Sequence, residues 1–118
     1  MSAAGIQQLA ERLRQFAAER DWEQFHSPKN LAMALSVEVA EIVEHFQWLT
    51  EPQSRELDAA KRAEVAQELA DAFIYLVRLA DQLQIDLLDA AERKLALNEA
   101  KYPAERVRGS PKKYTEYE

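Results

Sequence analysis

Residues 27–49 read SPKNLAMALSVEVAEIVEHFQWL, and this stretch decides the fold. Ser27 is a preferred N-cap residue, and Pro28 stands at the first helical position, where its missing N–H costs nothing. Leu31, Leu35, Val39, Ile42, Phe46 and Leu49 then recur at helical spacing and make one apolar stripe. The pattern predicts a helix running to about Leu49. Two carboxylates border that stripe. Each residue advances about 100° round a helix, which puts Glu38 within the stripe's edge and Glu41 on its flank. Spaced i, i+3, they are neighbours on one side of the helix. Glu44 lies further round, toward solvent.

A shift of thirty residues brings the pattern back. Leu35 superposes on Val65, Glu38 on Glu68, Glu41 on Asp71, Ile42 on Ala72, His45 on Tyr75 and Phe46 on Leu76. The second stripe is Val65, Leu69, Ala72, Leu76, Leu79 and Leu83, with Glu68 and Asp71 at the same angular offsets from it. Spacing alone decides little, because Glu41/Glu44, Asp86/Asp89 and Asp89/Glu92 share it. Placement separates the pairs. Carboxylates are rarely buried without a partner, and four converging on one place repel unless a cation sits among them. An oxygen-lined divalent metal site follows as the leading expectation, with Mg²⁺ the hard cation that also takes phosphate ligands. The alternative makes Glu38 and Glu68 flank residues paired with Lys or Arg. Having no cysteine and only His26 and His45, the chain has no ligand set for a structural zinc.

The rest of the chain reads as helices too. A first helix spans about 2–20, with Ile6, Leu9, Leu13 and Phe16 on one face. A short connection, 21–26, carries Trp22 and Phe25. Pro52 marks a break or a new start, with a helical turn over 53–57 and a long third helix over 58–83. Asp86 can cap a fourth helix that reaches about Lys101, before Tyr102-Pro103. The tail, 104–118, is polar and is either flexible or ordered only by a partner subunit. No segment alternates in the strand period. Short connections favour antiparallel neighbours, so the expected class is all-α, an antiparallel four-helix bundle.

Composition excludes several classes. The length of 118 residues suits one domain with its own core, and 47% hydrophobic against 31% charged residues reads as globular. Two glycines and four prolines leave little material for tight turns. A net charge of −6 argues against a general nucleic-acid binder. Without cysteine there are no disulfides and no thiolate catalysis, which is compatible with a cytoplasmic protein. No apolar run is long enough to span a bilayer, and residues 1–9 lack a signal-peptide pattern.

The carboxylate pattern, Glu38-x-x-Glu41, 26 intervening residues, then Glu68-x-x-Asp71, resembles that of the MazG-like all-α nucleoside triphosphate pyrophosphohydrolases. The segments FAAERDWEQFHSPKNLAMALSVEVAEIVEHFQW, ELADAFIYLVRLADQ, KLALNEAKYP and KKYTE extend the resemblance to the dCTP pyrophosphatase branch, over most of the chain from Phe16 onward. It implies an oligomeric MazG fold with residues 1–103 as the catalytic domain. It implies Mg²⁺-dependent hydrolysis of a nucleoside triphosphate, dCTP or a modified dCTP, to the monophosphate and pyrophosphate, in nucleotide-pool sanitation. Glu38, Glu41, Glu68 and Asp71 become metal ligands and the catalytic set. Trp22, His26, Trp48, Tyr75 and Asn98 would line the nucleoside pocket. Lys29, Lys94, Lys101, Arg108 and Lys113 would contact phosphates. Relatives are dimers or dimers of dimers with shared pockets. Read without the resemblance, Trp48 and Tyr75 are ordinary core positions, Trp22 staples the start of a helix, His26 bonds backbone, and His45 faces the core or an interface. Two other functions compete: a broad pyrophosphohydrolase of non-standard nucleotides, and a non-enzymatic helical dimerisation module.

Overall fold

The computed structural model describes residues 3–111. They form α1 (Ala3–Glu19), a 3₁₀ turn (Glu23–Phe25), α2 (Pro28–Phe46), α3 (Glu51–Arg55), α4 (Ala59–Gln82), α5 (Leu87–Lys101) and α6 (Ala104–Val107). No strand occurs among the described residues, so the all-α class is borne out. Among the described residues no helix is long and apolar enough to cross a membrane. The chain gathers into two compact units, Met1–Ile85 and Asp86–Glu118.

Local chemistry fixes the helix starts. Ser27 Oγ accepts from the Asn30 N–H at 3.1 Å, Asp58 Oδ1 from Lys61 at 2.7 Å, and Asp86 Oδ1 from Asp89 at 3.0 Å. The start of α3 differs from expectation. Thr50 accepts from the Gln53 N–H at 3.3 Å, and the Gln53 side chain accepts from the Thr50 N–H at 2.9 Å. This reciprocal capping box begins the helix at Glu51 rather than at 53. It also shortens α2, which ends at Phe46 and not at Leu49; Leu49 N–H instead turns back to the Phe46 carbonyl at 2.9 Å.

Helices α1 and α4 end alike. Asp21 (φ 54°) and Gln84 (φ 57°) adopt the left-handed conformation. In each case the next N–H reaches back five residues, Trp22 to the Ala17 carbonyl and Ile85 to the Ala80 carbonyl, both at 2.9 Å. These are Schellman closures made without glycine, which is how a chain with two glycines turns its helices.

In the first unit α2 and α4 share the most extensive helix contact, and α1 packs on α4 as well. The two run antiparallel. His26, before α2, bonds Arg78 and Gln82 late in α4, while His45 near the end of α2 lies by Glu64 and Glu68 early in α4. The buried core is Ala10 and Ala17 of α1, Leu31 of α2, and Val65, Val77 and Ala80 of α4. Several stripe residues expected inside are not. Leu69 is 53% exposed, and Val39, Leu76 and Leu83 are exposed as well. Periodicity reports which face is apolar and says nothing of what covers it; one chain covers only part of this face. In the second unit, the segment expected to be either flexible or ordered only by a partner subunit begins with one helical turn, α6.

Candidate metal centre and adjoining cavity

Helix α2 carries Glu38 and Glu41, and α4 carries Glu68 and Asp71. Antiparallel packing brings the pairs together. One oxygen from each carboxylate lies within 4.8 Å of all the others. Asp71 is exposed and the other three are half-buried. Glu38 Oε2 and Glu68 Oε2 are fully buried and have no hydrogen-bond partner. A Lys or Arg pairing of the kind the flank reading requires would have answered those atoms.

Two of the four carboxyl groups, Glu38 and Glu68, resist ionisation. Burial raises the Glu38 pKa first, then a hydrogen bond with Glu41, then the charges of Glu41, Asp71 and Glu68. For Glu68 the hydrogen bond with Glu41 raises it most, followed by burial and the Glu41 charge, with His45 pulling the other way. His45 stands beside Glu68, its Nε2 3.7 Å from Oε1, and its Nδ1 3.9 Å from Glu64 Oε2. Four hard oxygen donors with two orphaned atoms are the donor set a divalent cation takes, so the residues present fit such an ion.

Asp71 also borders a cavity of about 380 Å³. Trp22, His26 and Tyr75, three of the residues expected to hold a nucleoside, line it together. Phe16 meets Trp22 edge to face at 5.7 Å, and Trp22 lies 6.5 Å from His26 between ring centres. The walls add Leu13, Phe16, Ile74 and Arg78, which sequence reasoning did not assign to a site. For Arg78 a signal existed. It follows Asp71 by seven residues and Tyr75 by three, hence the same helix face, as a basic residue between apolar Val77 and Leu79.

The other expected contacts are placed less tellingly. Trp48, in the turn after α2, is 86% exposed and is not part of the cavity wall. Lys29 is exposed in the first turn of α2. Lys94, Asn98 and Lys101 are on α5 in the second unit, Asn98 half-buried and the lysines exposed. Arg108 is exposed after α6, and Lys113 lies outside the described residues.

Residues 33–117 match the MazG-like family. The chain belongs to that family. Its MazG-like character extends to three dimensions: a pyrophosphatase from Archaeoglobus fulgidus superposes with a TM-score of 0.79 at 41% identity, covering 84% of this chain and 93% of that one. Among curated proteins, dCTP pyrophosphatase 1 of Homo sapiens is 49% identical over 104 residues, and that of Bos taurus 47%. These alignments cover 86% of this chain and 61% and 62% of the relatives, so the MazG-like chain spans about three-fifths of their length. The all-α MazG-like fold expected from the carboxylate pattern is borne out, and so is the resemblance to dCTP pyrophosphatases.

Proposed function

We propose that the protein is a metal-dependent nucleoside triphosphate pyrophosphohydrolase that converts dCTP, or a modified dCTP, to the monophosphate and pyrophosphate. One observation carries this reading: four carboxylates from two helices within 4.8 Å of one another, two of their oxygens buried and unanswered, opening on an aromatic cavity through Asp71. Similarity to proteins named dCTP pyrophosphatase supports the substrate.

Glu38, Glu41, Glu68 and Asp71 would hold the ion, Mg²⁺ by the hardness of its donors. Such an ion supplies neutralisation of phosphate charge and activation of water. The carboxylates sit on helices, which fixes their geometry. A carboxylate of the set that keeps a free oxygen accepts the proton of the attacking water. Trp22 and Tyr75 offer faces on which a base can stack, and His26 a polar contact at its edge. Lys29, Trp48, Lys94, Asn98 and Lys101 remain proposed contacts by resemblance. We take residues 1–103 as the catalytic domain, in a cytoplasmic setting where nucleotide pools lie. Exposed Leu69 and Leu76 on α4 and Leu83 at its C-cap, at seven-residue steps, with Met33, Val37 and Val43 on α2, favour a homodimer or homotetramer.

The test is direct. Incubation with dCTP and Mg²⁺ gives dCMP and pyrophosphate, and a chelator stops it. Absence of metal-dependent turnover with every common nucleotide would overturn the reading. The cavity in the first unit is walled mainly by aromatic and aliphatic groups, which favours a broad-specificity second reading; competition between dCTP and non-standard nucleotides separates the two.

A further inference from the structure

Arg78 is 4% exposed, and an arginine is almost never that buried without partners. Its partners form a line. Nη1 donates to Asp81 Oδ2 at 3.4 Å, and Asp81 is braced from the other side by Arg14 Nε at 3.0 Å. Nε donates to His26 Nδ1 at 3.2 Å. Gln82 Nε2 holds the His26 backbone by donating to its carbonyl at 3.1 Å. Exchanging a buried ion pair for apolar residues of similar volume is often neutral or stabilising. The fold by itself therefore does not demand a guanidinium at this position.

What the guanidinium does is set the state of an imidazole. Arginine N–H groups only donate, so His26 Nδ1 accepts, and in the neutral ring the single proton sits on Nε2. Burial, then the Arg78 charge, hold His26 below its ordinary value of 6.5, with Glu23 opposing them. The neutral form is thus the one present near neutrality. His26 and Arg78 both line the cavity that Trp22 and Tyr75 wall.

We propose that Arg78, braced through Asp81 to Arg14, is a positioning residue that fixes His26 as an Nε2–H donor for a ligand in this cavity. The consequence is specificity. A ring free to exchange tautomers can meet a donor or an acceptor; a fixed one accepts a base edge that carries an acceptor and rejects one that carries an N–H. The inference rests on the reading of the cavity as a nucleotide pocket.

The experiment uses the full chain with ¹⁵N-labelled histidine, His26 being assigned by its loss in His26→Gln. In the wild type the His26 spectrum is that of the Nε2–H tautomer. In Arg78→Met, which keeps length but no donor, the ring becomes a mixture of tautomers. KM for the nucleotide rises about tenfold, the worth of one hydrogen bond, and kcat stays within about twofold. An Nδ1–H tautomer in the wild type overturns the proposal, as does an unchanged His26 spectrum in Arg78→Met, or a changed spectrum with unchanged KM. If Arg78→Met does not fold, the wild-type spectrum and Asp81→Asn, which loosens the same line and shifts the same signals, decide it. Were the wild type to turn over no nucleotide, the functional reading would fall while the imidazole spectra still judged the positioning claim.

Discussion

The contact between α2 and α4 treats polar groups in opposite ways at two places. Beside the start of α2, Arg78, His26, Asp81, Arg14 and Gln82 answer one another, next to buried Leu31, Val77 and Ala80. Further along the same two helices, Glu38, Glu41, Glu68 and Asp71 crowd together, with two buried oxygens unanswered. Native proteins keep such orphans rare, because each costs about 1–3 kcal/mol. One region pairs its polar groups among themselves, and the other leaves carboxylate oxygens that the proposed metal ion would answer. The two should respond oppositely to substitution.

The largest effect is expected on activity. Glu38→Gln or Asp71→Asn lowers metal-dependent hydrolysis by more than about a hundredfold, beyond what loss of a mere outer-sphere contact costs. Circular dichroism shows helicity nearly unchanged, since neither side chain holds the fold. Full activity in both variants would erase the distinction between the two regions.

Next comes stability at the dry end. Leu31 is almost completely buried, and Leu31→Ala leaves a cavity that costs about 2–5 kcal/mol in urea unfolding. Glu38→Gln has the reverse sign. It relieves repulsion, so the metal-free variant unfolds at a higher temperature than the metal-free wild type. The same change removes the gain from Mg²⁺, which for wild type at a hundred times Kd is about 2.7 kcal/mol. A variant that is both less stable without metal and equally stabilised by it would contradict the assignment.

How much of this was legible in the sequence depends on range. Ser27 and Asp86 announced their helices, because a cap is a contact across three residues; Asp58 caps α4 in the same way, where the sequence predicts only an approximate start. Thr50 caps α3 by the same local contact, yet the sequence marks the break at Pro52, two residues later. The Asp21 and Gln84 turns were missed because the usual glycine is absent. The carboxylate cluster was legible because two helices repeat one offset. Arg78 was not, since its partner His26 lies 52 residues away and only packing joins them. The exposed Leu69 escaped for the same reason: what covers a stripe is a tertiary fact. The roles of Lys94, Asn98 and Lys101 still rest on resemblance.

The smallest effect sets the two regions against each other by pH. His26 is held below 6.5, chiefly by burial and then by Arg78. A neutral native ring against a protonatable unfolded one means that its contribution is present above about 6.5 and is lost as pH falls through the lowered value. Glu38 and Glu68 are raised above 4.5, Glu38 chiefly by burial and Glu68 chiefly by its bond with Glu41. Their contribution to the metal-free protein is fully present below about 4.5 and is lost as pH rises through the raised values. Urea unfolding of metal-free protein across this range therefore carries two opposed slopes. His26→Gln removes the one just below 6.5, and Glu38→Gln weakens the one above 4.5. If His26→Gln leaves the upper slope as it was, the imidazole is not held neutral by its buried arginine, and the well-answered end of the contact owes its order to packing alone.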